Sequence, residues 1–120
     1  MRHIARQIRR IALGLSLSLV LVTALHAEPR VIELRIDGGV LPADRRVIRV
    51  AQGDELTLRW TTDAPVTLHL HGYDVERRVL PGTPTTMTFR ARATGRFPIT
   101  IHGPQKGGEA TLGYLEVHPP

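Results

Sequence analysis

The sequence predicts an all-β protein, a Greek-key β-sandwich of about seven or eight strands. Three observations predict it. Apolar and polar residues alternate with period two through segment after segment from residue 31 onward, which gives each strand one side for a core and one for solvent. Gly- and Pro-containing turns separate these segments at short intervals, the rhythm of a sandwich or barrel. Little of the chain is left over for a helix.

Taken in order, VIELRI (Val31 to Ile36) sets Val31, Glu33 and Arg35 on one side and Ile32, Leu34 and Ile36 on the other. Gly38, Gly39 and Pro42 break it. RVIRV (Arg46 to Val50) follows, and AQGDE turns the chain. ELTLRW (Glu55 to Trp60) alternates Leu56, Leu58 and Trp60 with Thr57 and Arg59. After the TTDAP turn, VTLHLH (Val66 to His71) alternates again, and VERRVL continues beyond Gly72. PGTP is a turn. TTMTFRAR (Thr85 to Arg92) sets Thr85, Met87, Phe89 and Ala91 against Thr and Arg. RFPITIH (Arg96 to His102) alternates Phe97, Ile99 and Ile101 with polar positions. Pro98 cannot donate to a ladder, so an edge or a bulge is expected there. A Gly-rich loop, GPQKGGEAT, leads into the closing strand LGYLEVH. The expected core is Val31, Ile32, Leu34, Ile36, Val50, Leu56, Leu58, Trp60, Val66, Leu68, Leu70, Met87, Phe89, Phe97, Ile99, Ile101, Leu112, Leu115 and Val117. Trp60, Tyr73 and Tyr114 read as core or rim packing rather than ligand platforms.

The N-terminus reads differently. MRHIARQIRR is basic, IALGLSLSLVLVTAL (Ile11 to Leu25) is apolar and uncharged, and small Ala27 follows. This is the layout of a secretory signal peptide over residues 1–27. The apolar run is shorter than the about 20 residues of a membrane span. Residues 28–120 are then a single periplasmic or secreted domain with no transmembrane span after signal cleavage. The chain carries 16 Lys+Arg and 11 Asp+Glu. Losing Arg2, Arg6, Arg9 and Arg10 with the leader leaves 12 against 11, so most of the basic character belongs to targeting. The other arginines are scattered among acids, which argues against nucleic-acid binding. There is no cysteine, hence no disulfide, no thiolate ligand and no thiol nucleophile. A small exported domain of this kind relies on packing, or on packing plus a ligand.

Four histidines lie beyond the leader: His69, His71, His102 and His118. Residues i and i+2 of a strand share a face, so His69 and His71 project together, opposite Leu68 and Leu70. His102 ends its strand opposite the Ile99 and Ile101 face. If the two strands are neighbours, three imidazoles meet at one end of a sheet, a donor set suited to copper, zinc or nickel. A solvent-facing histidine pair is the other reading of His-x-His. The glycines that follow favour the site, because Gly72 and Gly103 leave space beside the ligands. His118, in an HPP tail, is a bystander.

VIRVAQGDELTLRWTT, APVTLHLHGYD, PGTPTTMTFRARATGRFPITIHG and LGYLEV, in that order, resemble the cupredoxin superfamily over nearly all of residues 28–120. HLHG is also similar to the His-x-His-Gly element of multicopper oxidase domains. The resemblance implies that the early histidine strand and the strand entering the ligand loop are antiparallel neighbours, which would bring His69 or His71 beside His102. It also exposes departures. A blue-copper site needs a cysteine thiolate, two histidines and usually a methionine. The cysteine place falls at Ile101 or His102, the later histidine place near Lys106 and the methionine place near Thr111. Met87 reads as core. A blue-copper centre is therefore excluded, and plastocyanin-like electron transfer loses its chemical basis.

The sequence thus leads us to expect a small exported metal-binding protein. It would hold one copper ion, Cu(II) or Cu(I), through metal ligands His69, His71 and His102 in a non-blue, all-histidine site, for copper storage, delivery or protection. Water, Asp74 or Glu109 are candidate extra ligands, and zinc is an alternative metal. A periplasmic or membrane-bound protein is the expected partner. The competing expectation is a metal-free cupredoxin-like interaction module of an envelope assembly. No nucleophile–base pair or carboxylate pair stands out, so no enzyme is expected.

Overall fold

The computed structural model describes residues 14, 16–21, 29–103 and 108–120. Most of the expected leader over residues 1–27, and the loop position Lys106, lie outside the described residues. Among the described residues no helix is long and apolar enough to cross a membrane.

Among the described residues eight strands follow in chain order: β1 (Arg30–Ile36), β2 (Val47–Ala51), β3 (Glu55–Thr62), β4 (Val66–Leu70), β5 (Val75–Val79), β6 (Thr85–Arg90), β7 (Gly95–His102) and β8 (Ala110–His118). A 3₁₀ turn, Ala43–Arg45, precedes β2. The strands form a three-stranded sheet in the order β1-β3-β6 and a five-stranded sheet in the order β2-β8-β7-β4-β5. β1 runs parallel to β3, and β2 parallel to β8. The other pairs are antiparallel.

Alternation produces the two-layer core. Leu56, Leu58 and Trp60 of β3 are buried, while Thr57 and Arg59 between them are partly exposed. Leu34, Ile36 and Met87 join them from the same sheet; Leu68, Leu70, Ile99, Ile101, Leu115 and Val117 come from the other. Fully burying each such side chain favours folding by about 1.5–3 kcal/mol. Ile32, Phe89 and Phe97 pack against this core while partly exposed. One expected core residue is not in it. Val31 is 58% exposed, because it lies on the outward side of edge strand β1 with Glu33 and Arg35. Leu41, Ile48, Val79 and Ala91 are buried in addition.

Pro98 is not on an edge, since β7 lies between β8 and β4. The β7–β8 register does shift close by, between Ile99 and Thr100, but the extra residue, Leu112, lies on β8 rather than on Pro98's own strand. The His71 N–H donates to the Pro98 carbonyl at 3.0 Å, and proline has no N–H to return. The β4–β7 ladder accordingly ends one pair earlier, at Leu70 and Ile99. β4 therefore stops at Leu70, and His71 opens the turn into β5.

Candidate metal centre

β4 and β7 are antiparallel neighbours, with His69 opposite Thr100 and Thr67 opposite His102. Leu68 and Leu70 are fully buried, so His69 lies on the outer face of the five-stranded sheet. The cross-strand pairing puts Thr100 and His102 on that face too. The next four residues, His71 to Asp74, reverse the chain into β5. Gly72 (φ +82°) and Asp74 (φ 55°) both adopt left-handed backbone, which glycine accepts freely and aspartate tolerates. Tyr73 anchors this turn. Its ring lies 5.1 Å from Phe89 and 5.0 Å from Phe97. Its hydroxyl donates to the Ala93 carbonyl at 3.1 Å and faces the Ala93 N–H at 3.2 Å. The backbone under His71 is thus held from both sides.

Gly72 does not leave room beside the ligands. A Cβ there would lie 2.4 Å from Phe97 Cδ1, so the space the missing side chain vacates is filled by an aromatic ring. The space beside Gly103 is looser, with Val66 Cγ1 nearest at 3.9 Å.

The side chains converge on Glu109, just before β8. His69, His71 and Glu109 each offer a donor atom, and the three atoms lie within 4.8 Å of one another. His71 Nε2 is 3.1 Å from Glu109 Oε1 and 3.0 Å from Thr100 Oγ1. The Thr100 hydroxyl donates to Glu109 Oε1. His71 Nε2 therefore faces two acceptors, an arrangement satisfied when that nitrogen carries its proton. The rings of His69 and His71 are 4.2 Å apart, tilted by 44°. His69 Nε2 is 3.8 Å from Asp74 Oδ1. His102, 52% exposed, stands at the edge of the cluster with Nε2 3.9 Å from Glu109 Oε1. His118 is elsewhere, 2.7 Å from Glu116 Oε1. Of the histidines expected as ligands, the fold groups His69 and His71 with Glu109 and places His102 beside the group. Thr100 had no distinguishing signal in the sequence; its role depends on a register between separate strands.

The Glu109 carboxyl is held below its ordinary value of 4.5, first by the Thr100 hydrogen bond, then by that of His71, with lesser attraction from His71 and His102 against a burial cost. A carboxyl lowered in the folded state stabilises the fold above its unfolded pKa and loses that contribution as pH falls through the folded value. Urea unfolding of metal-free protein between pH 7 and pH 3 should therefore show acid destabilisation that Glu109→Gln partly removes. Identical pH profiles for the two proteins would contradict this.

The donor set fits a divalent cation. Metal–ligand bonds of roughly 2.0–2.2 Å place tetrahedral donors about 3.3 Å apart; His71 Nε2 and Glu109 Oε1 stand 3.1 Å apart, and an ion there would take the place of the Nε2 proton. Two imidazole nitrogens and one carboxylate oxygen suit Cu(II) or Zn(II).

No family model and no curated protein sequence matches the chain. Solved structures do. The periplasmic domain of subunit II of cytochrome oxidase from Bradyrhizobium japonicum superposes with a TM-score of 0.60 at 14% identity, over 74% of this chain and 83% of that one. A copper binding protein in its apo form gives 0.55 at 11% identity, over 78% and 93%. The fold is that of a cupredoxin-like domain. The blue copper oxidase from Nitrosomonas europaea also matches, with a TM-score of 0.55 at 23% identity over 77% of this chain. The cupredoxin-like chain spans only 39% of that oxidase. At these identities the likeness is one of fold, so the reading of the site rests on the cupredoxin-like domain's own residues.

Proposed function

We propose that this cupredoxin-like domain is an exported, periplasmic or secreted copper-binding protein. It holds one Cu(II) ion through His69, His71 and Glu109, for copper storage, delivery or protection. The observation that carries the reading is the approach of three donor atoms from β4, its following turn and the start of β8 to within 4.8 Å. Copper-handling neighbours of the same fold support it. A partner protein in the envelope would supply or receive the ion, in keeping with a neighbour that is a periplasmic oxidase domain. We read the domain as a binder rather than an enzyme, since the Thr100 hydroxyl, which donates a hydrogen bond to Glu109, is buried away from solvent.

Titrating metal-free protein with Cu(II) should give one bound ion per chain and a spectrum without the intense blue thiolate band. Copper at 100 times its dissociation constant should stabilise the fold by about 2.7 kcal/mol. Zn(II) should bind more weakly. A second reading, the metal-free interaction module, draws on the mutual satisfaction of Thr100, Glu109 and His71 by hydrogen bonds. An unfolding midpoint unmoved by Cu(II) and Zn(II) would select it and end the copper reading.

A further inference from the structure

We infer that Thr100 is a positioning residue that makes Glu109, rather than His102, the third metal ligand; the inference rests on the copper-binding reading above. The β7–β8 register pairs Ala110 with Ile101 and Thr111 with Thr100. Extending it by one step sets Glu109 opposite His102. Left to that pairing, the carboxylate has no reason to turn toward His71. Thr100 supplies the reason. It is 7% exposed, one of two buried polar side chains among the described residues, and a buried hydroxyl needs a hydrogen-bond partner. The other, Thr62, spends its proton locally on the Ala64 carbonyl. Thr100 donates its hydrogen bond to Glu109 Oε1, the other acceptor in reach, the His69 carbonyl, being 3.5 Å away. The register shift opposite Ile99 and Thr100 leaves Leu112 of β8 as the extra residue, and that bulge sets the β8 register that brings Glu109 to this end of β7.

The consequence is an order of distances. Glu109 Oε1 lies 3.1 Å from His71 Nε2 but 3.9 Å from His102 Nε2. The carboxylate is drawn into the space between the two imidazoles and keeps His102 outside the donor group. Thr100 thereby sets a two-nitrogen, one-oxygen site where the histidine content of the chain would allow three nitrogens. Without the hydroxyl, Glu109 is released and His102 is free to take its place.

The test is Cu(II) affinity and electron paramagnetic resonance on the wild type, Thr100→Val, Thr100→Ser and His102→Ala. Valine keeps the shape and removes the hydroxyl. Thr100→Val should weaken binding about 10–100-fold, the usual effect of losing an outer-shell partner, and shift the nitrogen hyperfine pattern from two imidazoles to three. Thr100→Ser should restore both. His102→Ala should cost less than about threefold in the wild type but more than about tenfold in the Thr100→Val background, the non-additivity expected of residues sharing one site. Glu109→Gln, which leaves the strand interior untouched, should give the same gain of a third nitrogen if Thr100→Val folds poorly. An unchanged spectrum and affinity in both Thr100→Val and Glu109→Gln would overturn the inference. So would a His102→Ala loss in the wild type as large as that of His69→Ala. Those results leave copper binding itself standing, whereas a wild type that binds no copper overturns both.

Discussion

Replacing His71 with alanine is expected to lower Cu(II) affinity by more than about 100-fold, beyond the about 10–100-fold that loss of an outer-shell partner costs. His71 holds the cluster together. Its Nε2 is within hydrogen-bond distance of both Thr100 and Glu109, and its ring lies 4.2 Å from that of His69. Truncation removes one imidazole donor and one of the two hydrogen bonds that orient the carboxylate. His69→Ala should also remove a donor, yet it leaves the Thr100–Glu109–His71 contacts in place, so its loss should be the smaller. The acid limit of binding should follow the imidazoles. A ring nitrogen must be free of its proton to bind metal, so protons compete with the ion as pH falls. The Glu109 carboxyl, lowered below 4.5 by its hydrogen bonds, stays ionised from pH 7.5 to pH 5.5. Competition against a chelator at pH 7.5, 6.5 and 5.5 should show affinity falling at each step toward acid. A His71→Ala protein that competes as well as the wild type would remove this cluster as the copper site.

The sequence made the face of the site legible but not its third member. Period two puts His69 opposite Leu68 and Leu70, and β4 keeps that alternation, whereas His71 lies past the strand's end, in the turn into β5. The antiparallel β4–β7 pairing came through family resemblance, since no local pattern states which strands are neighbours. Glu109 was visible only as one candidate among water, Asp74 and itself. Its approach to His71 depends on a bulge at Leu112 of β8 and on a hydroxyl from another strand, and neither leaves a mark in hydrophobic periodicity. Gly72 looked like space for a ligand; the ring that fills it belongs to Phe97, distant in sequence. The core was legible where both neighbours of a position alternate, as in β3. It was less so at Val31, an apolar residue on the solvent side of an edge strand, and at Leu41, buried from a loop where there is no period to read.

Trp60→Ala should have the largest effect on stability, about 3–5 kcal/mol, the range for truncating a large buried aromatic. A domain of this size has only about 5–15 kcal/mol in total, and the midpoint should fall on the order of 20 °C. Trp60 is fully buried and heads the core by volume, standing between Leu34 of β1 and Thr85 of β6. Its indole Nε1 is buried with no hydrogen-bond partner among the described residues. An unpaired buried donor costs about 1–3 kcal/mol, so Trp60→Phe loses packing volume but also removes that cost, and should come out far milder than Trp60→Ala. Urea unfolding of the three proteins decides this: a phenylalanine variant as unstable as the alanine variant would mean that the indole N–H is satisfied by a buried water. The copper-induced rise in midpoint should be the same in Trp60→Phe as in the wild type. Trp60 belongs to the three-stranded sheet and points into the core, whereas His69, His71 and Glu109 lie on the outward face of the other sheet and share no partner with it, so the two contributions should add.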